Sequence, residues 1–164
     1  MEKKLTVQKI ENEAGLAESI KIIRDAFMTV AEELKLTQAN SPTNPAFIEM
    51  PALLALKEKE VVFYGLFQGE QQIGFIALEK ANGEVYYLEK LAVIPEYRHH
   101  GCGRYLMDFA FDWVQSEGGK KISIALIEEN TRLKQWYQDY GFNETGKKQF
   151  PHLPFTVCFM EKEV

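Results

Sequence analysis

Between residues 16 and 35 the apolar side chains Ile20, Ile23, Phe27, Val30 and Leu34 recur at spacings of three and four. That rhythm lays one apolar stripe along an α-helix. A short strand at about 4–10 precedes it, and the polar, turn-rich run 37–45 (TQANSPTNP) follows it. Asn44-Pro45 reads as an N-cap with proline at the first helical position, opening a helix to about 57. Val61–Gln68 and Gln72–Glu79 read as strands joined at Gly69-Glu70, and Asn82-Gly83 links the second to a strand over Glu84–Val93. A helix over 103–117 is ended by Gly118-Gly119. The β-branched run Ile122–Ile127 is a short strand, set parallel to its predecessor by the crossover helix. A helix over 130–139, with Gly141 as its C-cap, and strands at Asn143–Phe150 and Phe155–Glu161 complete the chain.

The apolar stretch LAVIP ends at Pro95, and Arg98-x-x-Gly101-x-Gly103 then opens an amphipathic helix. A helix start leaves N–H groups free to hold phosphate oxygens. Two glycines allow positive φ or close approach of a ligand, and Arg98 adds a charge suited to a pyrophosphate. A G-x-G alone also marks ordinary turns. A second block, Asn130-Thr-Arg-Leu-Lys-Gln-Trp-Tyr137, is followed by Gly141-Phe142.

Together these two blocks resemble the acyl-coenzyme A motifs of the GNAT superfamily of N-acetyltransferases, in the family's order and separated by one strand. The resemblance spans about residue 61 to the end, on two motifs rather than on bulk similarity. It implies an α/β (α+β) fold of GNAT type across a single domain, 1–164. The sheet would be mixed, with about seven strands and about four flanking helices. Its N-terminal strands would be antiparallel, and a parallel pair would form the acyl-CoA cleft.

Composition narrows the function. The 164 residues carry 46% hydrophobic and 26% charged side chains, enough for a real core. A net charge of −5 argues against a nucleic-acid partner held by a basic surface. No apolar run is long enough for a membrane span, and MEKKLTVQKI lacks the apolar stretch of a signal peptide. The two cysteines, Cys102 and Cys158, are too few for a disulfide framework and have no metal-ligand partner at useful spacing. The expectation is a cytoplasmic protein without a metal; a homodimer is compatible with an exposed final strand.

The resemblance implies acetyl-CoA as cofactor and transfer of its acetyl group to a primary amine, by direct attack in a ternary complex. The acceptor would be a small molecule, or else a peptide or protein amine. An acyl-CoA-binding regulator without turnover is the alternative. By motif position the cofactor contacts are Leu91, Ala92 and Val93 along the pantetheine arm. On the phosphate side they are Arg98, His99, His100, Gly101, Cys102, Gly103 and Arg104, mostly through the main chain. Asn130 is a further cofactor contact or simply the cap of its helix.

Tyr137 is the family's general acid for the leaving thiolate, or a core aromatic on its helix stripe. Strand alternation over 84–93 places Val85, Tyr87, Glu89, Leu91 and Val93 on one face, so Glu89 is a carboxylate on an otherwise apolar face. Glu89 is the candidate base; the plain alternative is a strand-edge glutamate paired with a lysine. A backbone N–H, taken to be that of Val93, would hold the oxyanion. Phe27, Tyr87 and His152 are the acceptor-side candidates. His152 sits in FPHLPF, which is a pocket lining or a packed turn. Cys102 has no base at a recognisable spacing, so a covalent acyl-enzyme is rejected. A dinucleotide-binding reading requires a small residue at position 106, which is Leu, and no Gly-Lys-[Ser/Thr] exists for a Walker loop.

Overall fold

The computed structural model describes residues 4–164. Strands β1 (Leu5–Lys9), β2 (Val62–Gln68), β3 (Gln71–Lys80), β4 (Val85–Val93), β5 (Lys121–Ile127), β6 (Asn143–Gln149) and β7 (Thr156–Glu163) form one seven-stranded sheet. Its order is β1-β2-β3-β4-β5-β7-β6. Every neighbouring pair is antiparallel except β4 with β5. The helices are α1 (Glu13–Glu33), α2 (Met50–Glu58), α3 (Cys102–Ser116) and α4 (Thr131–Tyr140). Mixed sheet, strand number and helix number match the expected fold.

Local chemistry explains the element ends. The Asn12 side chain accepts from the Gly15 amide, so α1 begins a turn earlier than its apolar stripe. One helix from Pro45 to 57 does not form. Asn44 caps only a 3₁₀ turn, Pro45–Phe47, and α2 starts afresh at Met50. Pro51 has no N–H to give to the carbonyl four residues back, and its ring would clash there. At Asn82-Gly83 the turn is not built by a glycine at positive φ. Instead the Asn82 side chain accepts from the amides of Glu84 and Val85.

The two sheet faces are covered differently. α3 lies on the face holding Tyr64, Gly74 and Tyr86, where Trp113 meets Tyr86 edge-on at 5.6 Å. α4 packs on the same side, its Trp136 over Gly103. α1 takes the opposite face, where Gln72 donates to Ser19 at 3.0 Å inside the core. That face is left uncovered at β5, since Ala125 is exposed in mid-strand. A smaller cluster of Ala31, Leu36 and Ala46 draws Phe27 and Met28 of α1 against Ile127 and Phe155. The end of α1 thereby meets the end of β5 and the β6–β7 connection.

Candidate active site: a parted strand pair and a free-amide loop

β4 and β5 are paired over only three positions, Val85↔Lys121, Tyr86↔Ile122 and Tyr87↔Ser123. Beyond Tyr87 the strands part. On its other side β4 stays on β3, but with a bulge. Phe75 faces Ala92 while Ala77 faces Glu89, so Ile76 is opposed by both Lys90 and Leu91. Lys90 takes the left-handed conformation, φ 54°. The bulge corrects the simple alternation: Tyr87 and Glu89 share the α1 face with Ala92, whereas Val93 joins Gly74 on the α3 face.

Ile94 donates its N–H to Ile73 on β3 at 3.0 Å. By alternation the N–H and C=O of Val93 point the other way, into the gap, where among the described residues no strand pairs with them. Ala92 is 2% exposed and turns its main chain toward β3. Leu91 is half-buried against the core beside the bulge.

The loop after β4 follows the 3₁₀ turn Pro95–Tyr97 and enters α3 through Gly101 at φ 79°. His99 is also left-handed, φ 64°. Among the described residues none of the backbone N–H groups of His99, His100, Gly101, Cys102, Gly103 and Arg104 donates a hydrogen bond. A run of unpaired amides at a helix start is a cradle for oxyanions. Around Gly101 a Cβ would meet nothing within 4 Å, so the cradle is open. Gly103 has ordinary helical φ, and a Cβ there would lie in ordinary contact with Trp136.

The Arg98 side chain departs from the simple expectation. Its guanidinium donates to the Ala26 carbonyl at 2.5 Å and to Thr29 Oγ1 at 3.1 Å, both on α1. The charge ties the loop to α1 rather than standing free for a phosphate. Cys102 is buried and its thiol is pushed up by that burial, which agrees with rejecting it as a nucleophile. Arg104 lies over the Tyr140 ring, 5.6 Å from its centroid.

Asn130 caps α4, its side chain accepting from Leu133 at 3.4 Å. Tyr137 is 6% exposed and is packed edge-on by Trp136 and Phe142. Its hydroxyl makes no hydrogen bond among the described residues, yet it is not one of the sealed, unsatisfied polar atoms. Its oxygen therefore keeps contact with the exterior. Burial pushes the phenol well above its usual range, so it stays protonated.

Tyr87, 44% exposed, and Glu89 lie on the open face beside β5. Glu89 pairs with Lys90 at 3.7 Å. Reading strand by strand misses Glu79, whose carboxyl is raised by burial first and then by Glu89. Only the β3–β4 register brings the two together. His152 is exposed and its ring is tilted against that of Phe150, with centroids 5.7 Å apart. Its loop encloses a groove of about 670 Å³ lined by Glu129, Phe150, Leu153 and Phe155, which His152 does not line.

A separate charge cluster sits at the start of α4. Atoms of Glu128, Glu144 and Cys158 suitable as metal ligands lie within 4.8 Å of one another. Lys134 fills the space, 2.7 Å from each glutamate, and Lys147 adds a contact of 3.0 Å to Glu128. Two ammonium groups thus supply the positive charge a metal would. Burial and the adjacent carboxylates push the Cys158 thiol up to about 12, so it is no thiolate ligand.

The site thus combines a sheet parted at its one parallel pair with a helix start whose amides are free. The comparisons give the family: residues 24–142 match the Acetyltransferase (GNAT) family, and the chain belongs to it. The ribosomal-protein-S18-alanine N-acetyltransferase from Escherichia coli has a similar structure, with TM-score 0.75, 17% identity, and 98% of this chain and 94% of that one covered. Ard1 from Thermoplasma volcanium gives TM-score 0.75, 16% identity, and coverage of 98% and 97%. A GNAT family acetyltransferase from Elizabethkingia anophelis, solved with acetyl-CoA bound, gives TM-score 0.66, 14% identity, and 98% coverage of each. Among curated proteins, the histone acetyltransferase ESA1 of Yarrowia lipolytica is 33% identical over 51 residues, which are 31% of this chain and 11% of that protein. Among the described residues no helix is long and apolar enough to cross a membrane.

Proposed function

We propose that this chain transfers the acetyl group of acetyl-CoA to the primary amine of a small molecule, both being bound at once. The observation that carries the reading is the juxtaposition of the amides from His99 to Arg104 with the unpaired main chain of Val93. The amide run suits a pyrophosphate, and the Val93 edge suits an extended amide-bearing arm. Acetyl-CoA supplies an acyl group activated as a thioester.

The chain's own residues do the rest. The Val93 N–H faces the gap and holds the charge that gathers on the carbonyl oxygen. Glu89, on the open face beside Tyr87, takes the proton from the incoming ammonium, directly or through water. Tyr137 keeps its proton and gives it to the departing sulfur; a thiol of pKa about 8.5 needs only modest help. Tyr87 presents an aromatic face to the cationic amine, with Phe27 and the loop bearing His152 farther out. The protein is proposed to work in the cytoplasm.

A second reading, an acyl-CoA-binding protein without turnover, is favoured by one observation: Tyr137 is packed in aromatics as a core residue would be. Calorimetric titration with acetyl-CoA, with NADH as control, followed by thiol release against a panel of amines, separates the readings. Binding with turnover on any amine is expected. Binding without turnover across the panel favours the second reading, and absence of binding removes both.

A further inference from the structure

One stretch of α1 touches both sides of the site. Arg98, which opens the amide-lined loop, reaches across to it: Nη2 donates to the Ala26 carbonyl at 2.5 Å and Nη1 to Thr29 Oγ1 at 3.1 Å. Among the described residues these are its only side-chain hydrogen bonds. Ala26 lies in mid-helix, so its carbonyl has one lone pair in the helix ladder and offers the other to the guanidinium. The two acceptors stand three residues apart on one helix face, a span that suits a planar fork of donors.

Between these anchor points lie Phe27 and Met28. Both pack on the small cluster of Ala31, Leu36 and Ala46, and so does Phe155 of the β6–β7 connection. Phe155 in turn lines the groove of about 670 Å³. Contacts therefore run from loop to α1, to cluster, to groove, and close-packed side chains pass a displacement on. The loop end of this path responds to a ligand. Its amides from His99 to Arg104 have no acceptors, and His99 holds a left-handed φ of 64°, which side chains disfavour. Phosphate oxygens would give those amides partners and so favour one course of the loop over others.

We propose that Arg98 is a positioning residue that carries the filling of the amide loop to the groove beside the β6–β7 connection. When the loop settles on a pyrophosphate, the guanidinium shifts residues 26–29 of α1. Phe27 and Met28 move with them and, through the shared cluster, set Phe155. This rests on acetyl-CoA being the ligand of the loop. The groove then takes its final shape only in the loaded protein, and by linkage a molecule seated against Phe155 tightens acetyl-CoA.

Methionine methyl groups report both ends of the path. The intact chain is labelled with carbon-13 at these methyls and titrated with acetyl-CoA, with calorimetry alongside and NADH as control. Met107 lies in α3, which the loop opens, and Met28 lies beyond Arg98 on α1. Both resonances are expected to move in the wild type at saturation. In Arg98→Ala, Met107 should still move while the Met28 displacement is lost; a general loosening of the fold would disturb both. Thr29→Val keeps the branched shape and removes one acceptor, so it should shrink the Met28 displacement and leave that of Met107. A Met28 resonance that stays still while calorimetry shows binding to the wild type overturns the proposal. So does a displacement retained in full in Arg98→Ala, or in Thr29→Val should Arg98→Ala fail to fold. No heat of binding overturns the cofactor reading on which the proposal rests.

Discussion

A side chain grown on Gly103 would meet the indole of Trp136 at 3.4 Å, an ordinary van der Waals contact, so space does not demand a glycine there. Gly101, two residues earlier, is constrained by its φ of 79° and not by space. The two glycines of one motif are therefore not equivalent. Gly101→Ala is expected to cost about 1–2 kcal/mol through left-handed strain, and to weaken acetyl-CoA binding by turning the loop amides. Gly103→Ala adds a methyl at ordinary contact distance and is expected to keep stability within about 0.5 kcal/mol. Thermal melts and acetyl-CoA titration of both variants check the contrast; equal effects would contradict it.

Arg98 is predicted to matter for stability more than for charge recognition. Removing its bonds to Ala26 and Thr29 should cost about 2 kcal/mol, a fall in Tm of about 4–8 °C. The dependence of acetyl-CoA affinity on salt should survive in Arg98→Ala. A flattened salt dependence with unchanged Tm would return the guanidinium to the phosphates.

Tyr137→Phe separates acid from core. The hydroxyl has no partner among the described residues, so its loss should leave Tm unchanged or slightly raised. As a general acid its loss should lower kcat about 10- to 100-fold with little change in acetyl-CoA affinity. An unaffected kcat would assign Tyr137 to packing alone.

The cluster at the start of α4 makes an acid-stability prediction. Lys134 and then Lys147 hold the Glu128 carboxyl down at about 2, from an ordinary 4.5. A depressed folded-state value means that stabilisation is complete above about 4.5 and is lost as pH falls toward 2. Glu128→Gln should therefore lower Tm at pH 7 and flatten the loss of Tm in that acid window. A variant with the same acid slope as the wild type would refute the linkage.

Much of the fold was legible because its signals are local. Gly118 and Gly141 end helices at positive φ, and Asn130 caps α4, all within a few residues of what they control. Three features escaped because their causes are not local. The Lys90 bulge exists only against Ile76 of β3, and it reverses which face Val93 occupies. The Arg98 partners lie 69 and 72 residues away on α1. Glu79 acquires significance only once β3 and β4 are in register. The proline-interrupted start of α2 is a different matter: Pro51 was in plain view, and the capping pattern at Asn44-Pro45 outweighed it.

The short union of β4 and β5 has one more consequence. An extended molecule lying along the open edge of β4 can be gripped as a missing strand would be, by peptide groups that every amino acid shares. Recognition of this kind is written in backbone conformation and is nearly indifferent to side-chain identity. Substitutions can then accumulate along these strands without erasing the grip, provided that the bulge and the left-handed turns persist. What natural variation must protect here is a path of the chain through space, and most of its lettering is free to drift.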